Sequence, residues 1–265
     1  MDIFNQFPLK HFAATVADCM DFPLPEPYAP SIHWAAEIMK KRMGGPADRA
    51  VLYHADAVGM YIWQKYPWLL APVYAHTSMS LPFLSTVESV TPVAHASMYT
   101  GLDPAQHGIQ TYIRPRLTCD TLFDRLLARG KKVAILAQTD STFLHIFAGR
   151  ALDYFEEPNA PAIQERALEI LARDEYDVVS IHTFDYDNAA HAYGPESKEA
   201  LNAVSIEAEG FARIAQLMEG FRGRHRTLLT YSPDHGQHLT DGGTGAHGSK
   251  RIEDMNILHF LGSVQ

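Results

Sequence analysis

Four short stretches of compact, largely apolar character recur along the chain. They are Arg49-Ala50-Val51-Leu52-Tyr53-His54-Ala55, Lys132-Val133-Ala134-Ile135-Leu136-Ala137, Asp177-Val178-Val179-Ser180-Ile181-His182 and Arg226-Thr227-Leu228-Leu229-Thr230-Tyr231. Their length and composition suit strands buried on both faces, as in a parallel sheet. Helical patterns stand between them. Ser31 can cap a helix running to about Met43 and ended by Gly44-Gly45-Pro46, and others span Asp120 to Arg129, Pro161 to Arg173 and about Ser197 to Phe221. Alternation of this kind predicts an α/β fold, a three-layer αβα sandwich around a mostly parallel sheet. A further short helix is expected to begin among Thr91, Pro92 and Val93 and to stop at Gly101, since proline suits a first helical turn and glycine the residue past an end. Residues 1–30 are rich in Phe and Pro and read as an irregular N-terminal arm. No linker, charge run or internal repeat divides the rest, so 1–265 is expected to be one compact domain.

Composition narrows the function. With 265 residues, 46% of them hydrophobic, the chain can bury a sizeable core. A formal net charge of −9 argues against nucleic acid or an anionic membrane as the main partner. The N-terminus shows no basic segment followed by a long apolar run, and no uncharged run is long enough to span a bilayer. Cys19 and Cys119 alone give no disulfide framework, which fits a cytoplasmic location.

The candidate chemistry lies just past the strand ends, where open α/β sheets place their ligands. Asp56 follows the first run. After the third, Asp187 and His191 stand four apart, on one face of any helical turn that forms there. Asp234-His235-Gly236 follows the fourth, and the Gly-rich loop Asp241–Gly248 then presents His247. Thr91, at the start of its helix, would face unpaired backbone N–H groups and is the candidate nucleophile. Six oxygen and nitrogen ligands suit two borderline cations, Zn²⁺ first, with Mn²⁺ or Fe²⁺ as alternatives. Two such ions are a usual clamp for phosphoryl displacement.

Each residue alone has a plainer reading. Thr91 before Pro92 can be a cap, Asp56 a cap for a helix near Ala57, Asp187 and His191 a solvated pair, and His247 an exposed loop residue. The coincidence of separate segments supplying complementary ligands carries the chemical reading. His95, one turn beyond Thr91, can either contact a bound phosphate or pack, and His238 and Asp241 are candidates for orienting ligands. The remaining histidines, His54, His182 and His259 among them, receive no chemistry.

In order along the chain, Asp56, Thr91 ahead of Thr100-Gly101, Pro104 and His107-Gly108, Asp187 to His191 with Gly194-Pro195, Asp234-His235-Gly236 and Gly245-Ala246-His247-Gly248 resemble the alkaline phosphatase superfamily. The nucleotide pyrophosphatase/phosphodiesterase branch is the most similar. The resemblance implies one metal held by Asp187, His191 and His247, and a second held by Asp56, Asp234 and His235 beside Thr91. Thr91 is preferred to Ser89 because the family's nucleophile lies nine residues before the Thr of Thr-Gly. Two departures matter: Pro92 follows Thr91 directly, and Ala94 stands where the branch has a donating Asn, so its diester preference is not carried over. No cysteine or following arginine matches the sulfatases.

The resemblance thus implies a two-metal phosphoester hydrolase, a phosphodiesterase or phosphatase with a threonine nucleophile and a phosphothreonine intermediate. The alternatives are a phosphomutase of the same superfamily and a catalytically silent, metal-stabilised binding protein. The expected partner is a small-molecule phosphoester. The short chain also suggests a site left open, or completed by the arm or by a second subunit in a homo-oligomer.

Overall fold

The computed structural model describes residues 3–265. Among the described residues there are ten strands: β1 (Phe7–Pro8), β2 (Arg49–Ala55), β3 (Met79–Leu84), β4 (Val133–Gln138), β5 (Asp153–Glu157), β6 (Val178–Thr183), β7 (Thr227–Tyr231), β8 (His238–Leu239), β9 (Gly245–Ala246) and β10 (Asn256–Val264). Eight form one sheet in the order β1-β3-β10-β7-β2-β6-β4-β5, and β8 and β9 make a separate hairpin. β10 runs antiparallel to both of its neighbours, while every other pairing in the large sheet is parallel. The expected mixed α/β architecture with a mostly parallel sheet is borne out.

Side-chain alternation along the strands divides the interior into two cores. On β2, Ala50 and Leu52 face one core, and Val51, Tyr53 and Ala55 the other. β4 repeats this with Val133, Ile135 and Ala137 against Ala134 and Leu136. The first core is closed by helices His11–Cys19, His33–Met43, Thr91–Thr100, Leu122–Ala128 and Thr142–Phe147, the second mainly by Ala160–Ala172, Asp185–Tyr193 and Lys198–Glu219. Burial on both faces is why β2, β4, β6 and β7 read as continuous apolar runs.

Several expectations are corrected. The N-terminal stretch is not irregular throughout: β1 extends the sheet edge beside β3, and His11–Cys19 is a helix whose Phe12, Val16 and Cys19 enter the first core. Ser31 does not cap the next helix. Its hydroxyl donates to Asp18, and Ile32 occupies the cap position. Strands β3 and β10 carry no expectation from sequence because Pro82, His259 and Gly262 break their apolar runs. Gly262 is required there, since a Cβ would lie 2.2 Å from the His76 carbonyl oxygen.

One buried acid bears on how the site is held. Glu207, wholly buried, faces the backbone N–H groups of Asp185 and Tyr186 at the start of the helix Asp185–Tyr193, beside Thr183, and its oxygens fall short of full hydrogen-bond geometry. Burial, followed by the neighbouring Asp185 carboxylate, pushes its pKa up to about 8 from 4.5. The folded protein therefore binds a proton that the unfolded chain releases, so stability falls as pH rises from about 4.5 to about 8. Glu207→Gln removes this dependence. In thermal melts, the difference between variant and wild type should move in the variant's favour as pH rises from 5 to 9; a pH-independent difference would contradict it.

Candidate metal centre

The central strands β7, β2 and β6 end side by side, and each delivers a carboxylate just past its C-terminus. Asp56 follows β2 directly. Asp234 and His235 follow β7 after two residues, and Asp187 and His191 lie on one face of the helix that starts past β6. His235 leads into Gly236, where a Cβ would sit 2.0 Å from the Glu253 carbonyl oxygen, so only glycine lets the chain turn back here. His247 arrives from the loop after β9. The turn just after it is held by Asp254, which accepts from the Ser249 backbone N–H and hydroxyl and from His238.

These residues gather into two trios, Asp187–His191–His247 and Asp56–Asp234–His235. In the first, His191 Nε2 and His247 Nε2 stand 3.4 and 3.5 Å from Asp187 Oδ1. In the second, His235 Nε2 stands 3.3 Å from Asp56 Oδ1 and 3.5 Å from Asp234 Oδ2. Ligands at about 2.1 Å on a tetrahedral cation are separated by about 3.4 Å, so these spacings match the edges of such a site. The two trios adjoin, with the rings of His235 and His247 stacked at 4.2 Å.

The tautomers also fit a cation. His191, His235 and His247 each place Nδ1 against a backbone carbonyl, of Gly245, Gly236 and Ser89 respectively, at 3.0 to 3.1 Å. A carbonyl only accepts, so Nδ1 carries the hydrogen and Nε2 turns a lone pair toward its trio. Asp56 Oδ1 and Asp234 Oδ2 are buried without a hydrogen-bond partner, and both face His235 Nε2. Two orphaned carboxylate oxygens beside a lone pair form a donor set that needs a positive charge. A third trio, Asp18, His33 and Glu37, differs because Lys40 pairs with both of its carboxylates.

Without a cation the electrostatics are unfavourable. Burial first, then the Asp234 and Asp187 carboxylates, push Asp56 well above the carboxylate range. Burial raises Asp234 and carries Asp187 up to about 6. Burial likewise holds His235 and His247 down at about 3, leaving both neutral as metal binding requires.

Thr91 is the first residue of its helix, and its Oγ1 lies 3.2 Å from Asp56 Oδ2 and 3.3 Å from His235 Nε2. The expected row of free N–H groups is not there, because Val93 and Ala94 both donate to the Val90 carbonyl and Pro92 has no N–H. The N–H of Thr91 itself is the one left at this helix start, so stabilisation of a bound anion falls largely to other charges. Above Thr91 opens a cavity of about 360 Å³ bordered by Tyr112, Arg114, Asp140, Ser141, Phe184 and Asn188. Arg114 is already paired there with Asp140 at 3.2 Å.

The structure thus brings together all seven residues singled out as nucleophile or ligands. His95 is wholly buried, with Nε2 3.5 Å from Asp234 Oδ2, so it backs a carboxylate instead of facing a phosphate. Asp241 is exposed at the tip of the hairpin. Two residues escaped the sequence reading. Gln237 donates its amide to the Asp187 carboxylate and backbone carbonyl, and His182 contacts Asp56. The overlooked signal on β6 was its alternation, with Ser180 and His182 as polar side chains on one face of an otherwise apolar strand.

No protein-family model matches the chain. Among curated proteins, GPI ethanolamine phosphate transferase 1 of Emericella nidulans is 32% identical over 110 residues, which is 42% of this chain and 11% of that protein. The match thus takes in about a tenth of that relative's length. Among solved structures, an inactive murine ectonucleotide pyrophosphatase/phosphodiesterase 5 in complex with AMP aligns at a TM-score of 0.58 and 12% identity, covering 74% of this chain and 59% of that one. The C-terminal periplasmic domain of the phosphoethanolamine transferase EptC from Campylobacter jejuni also aligns at 0.58, with 11% identity and 82% and 80% coverage. The corresponding Escherichia coli domain, in complex with Zn, aligns at 0.56, with 14% identity and 84% and 74% coverage. At such identities the likeness is one of fold. Among the described residues, no helix is long and apolar enough to cross a membrane.

Proposed function

We propose that this chain, whose fold is that of the alkaline phosphatase superfamily, cleaves phosphoesters through Thr91 with two divalent cations held by the two trios. The placement of Thr91 Oγ1 carries the reading. It sits at ligand-edge distance from both Asp56 and His235, in the floor of the cavity and among the residues that would hold the second cation. When bound, the cations supply Lewis-acid charge to the phosphoryl oxygens and favour the ionised Thr91 hydroxyl.

The chain's own residues do the rest. Asp56 Oδ2 accepts the Thr91 hydroxyl proton in a hydrogen bond and so aims an oxygen lone pair into the cavity. Attack on phosphorus forms the Thr91 Oγ–P bond and breaks the bond to the leaving alcohol; the hydroxyl proton of Thr91 passes to solvent, and the alcohol takes one from solvent as it departs. Water then attacks the phosphothreonine, restoring the hydroxyl and releasing the phosphoryl product. Burial of Thr91, at 5% exposure, keeps the attacking oxygen poorly hydrated. The organic part of the substrate lies in the cavity against Tyr112, Phe184 and Asn188. A phosphomutase needs a second phosphate site, and the one cationic side chain bordering this cavity, Arg114, is committed to Asp140.

A second reading has an alcohol, in place of water, take the group from Thr91. The curated relative, named a transferase, favours it. Partition of product separates the two. With p-nitrophenyl phosphate, bis-p-nitrophenyl phosphate and a phosphonate ester as donors and Zn²⁺ or Mn²⁺ present, the hydrolase releases nitrophenol and the free acid in equal amounts whether or not ethanolamine is added. A new ester of ethanolamine, formed at the expense of the free acid, would establish the transferase. No turnover of any donor would leave a metal-stabilised binding protein.

A further inference from the structure

His182 lies on β6, 1% exposed, on the face of the sheet beneath the helix that begins at Thr91. Its Nε2 is 3.1 Å from Asp56 Oδ2 and its Nδ1 is 2.9 Å from Ser141 Oγ. Ser141 Oγ is itself fixed by accepting from the Phe143 N–H at 3.1 Å, and the His182 ring stacks on Phe143 with 9° between planes. This environment is the reverse of that around His191, His235 and His247. Those three meet a carbonyl at Nδ1, whereas His182 meets a hydroxyl, which can donate to Nδ1 and leave the hydrogen on Nε2. A lone pair on Nε2 would instead oppose the lone pairs of Asp56 Oδ2, so the buried neutral ring is the Nε2–H tautomer. His182 also lies outside the trio whose ligand atoms converge on Asp56.

Asp56 is thereby divided between two tasks. Oδ2 accepts from Thr91 and from His182, while Oδ1 has no partner and faces His235 Nε2. We infer that His182 is a positioning residue: through the relay Phe143–Ser141–His182 it locks the Asp56 carboxylate so that Oδ1 is presented to the cation beside Thr91 and Oδ2 to the Thr91 hydroxyl. The inference rests on the two-cation reading above. It assigns a role to a strand residue that no ligand pattern identifies.

The test titrates Zn²⁺ into the full chain stripped by chelator, in competition with a chromophoric chelator, so that binding is read without turnover. Wild type should bind two ions. His182→Leu should weaken one binding event about 10- to 100-fold, the usual cost of removing a residue that orients a ligand, and leave the other unchanged. His182→Gln, which can return an N–H to Asp56 but is a poor metal ligand, should recover most of the loss. Ser141→Ala should weaken the same event by less and serves if His182→Leu does not fold. The inference is overturned if both events survive His182→Leu intact, if both weaken together, or if His182→Gln is no better than His182→Leu. Wild-type protein binding fewer than two ions would instead remove the two-cation reading beneath it.

Discussion

Thr91→Ala is expected to lose turnover by more than about 10³-fold while retaining both cations, because a missing nucleophile cannot be replaced by better positioning of what remains. Thr91 belongs to neither trio, so elemental analysis of the variant should match wild type. Its hydroxyl makes contacts only to Asp56 and His235, so the fold should also survive. Rapid quenching during turnover should trap phosphate on Thr91 in wild type and none in the variant. Unchanged activity, or label on Ser89 instead, would displace Thr91 from its role. Ser89 is wholly buried, with its hydroxyl donating to the Ser249 carbonyl, which is why it is a poor competitor.

Removing the cations should have the next largest effect, on stability and activity together. The core of the site contains three carboxylates and the neutral rings of His235 and His247, with two carboxylate oxygens left unpartnered. A ligand present at about 1,000 times its dissociation constant adds about 4 kcal/mol to stability, which for a chain of this size corresponds to roughly 10 °C in Tm. Chelation should lower Tm by that order, and Zn²⁺ should restore it. Asp187→Ala or His247→Ala should each lower metal content by one ion, and unchanged stoichiometry would count against that trio. The pH dependence follows from the same groups. Asp187 without a cation titrates near 6, so below that pH a cation must displace its proton and affinity should fall, by up to about tenfold per pH unit for each proton released. His235 and His247, at about 3, offer no competing proton until far lower pH. An affinity flat between pH 5 and 7 would contradict this.

The legible part of the protein is the part governed by local rules. β2, β4, β6 and β7 are buried on both faces, and such strands declare themselves as apolar runs bounded by turns. The helix Thr91–Thr100 declares itself through Pro92 and Gly101, whose left-handed φ of 66° suits a helix end. Since ligands in such folds collect past the strand ends, Asp56, Asp187, His191, Asp234, His235 and His247 could be picked out one by one. Their division into two trios came from the family resemblance, because spacing alone does not say which side chains meet.

Tertiary structure settled what depends on neighbours distant in the chain. The order β7-β2-β6 places residues from three remote segments at one edge, and β10, reversed between β3 and β7, joins β1 and β3 to the rest of the sheet with a strand whose His259 and Gly262 hide it from any periodicity. The same is true of His182: its residue type was visible, but its partner Asp56 lies 126 residues away, just past the end of the adjacent strand. Sequence fixes a side chain's identity and, through the two-residue period of a strand, the face it takes. Only the pairing of strands brings opposed charges and lone pairs to about 3 Å, the range over which hydrogen bonds and metal ligation act.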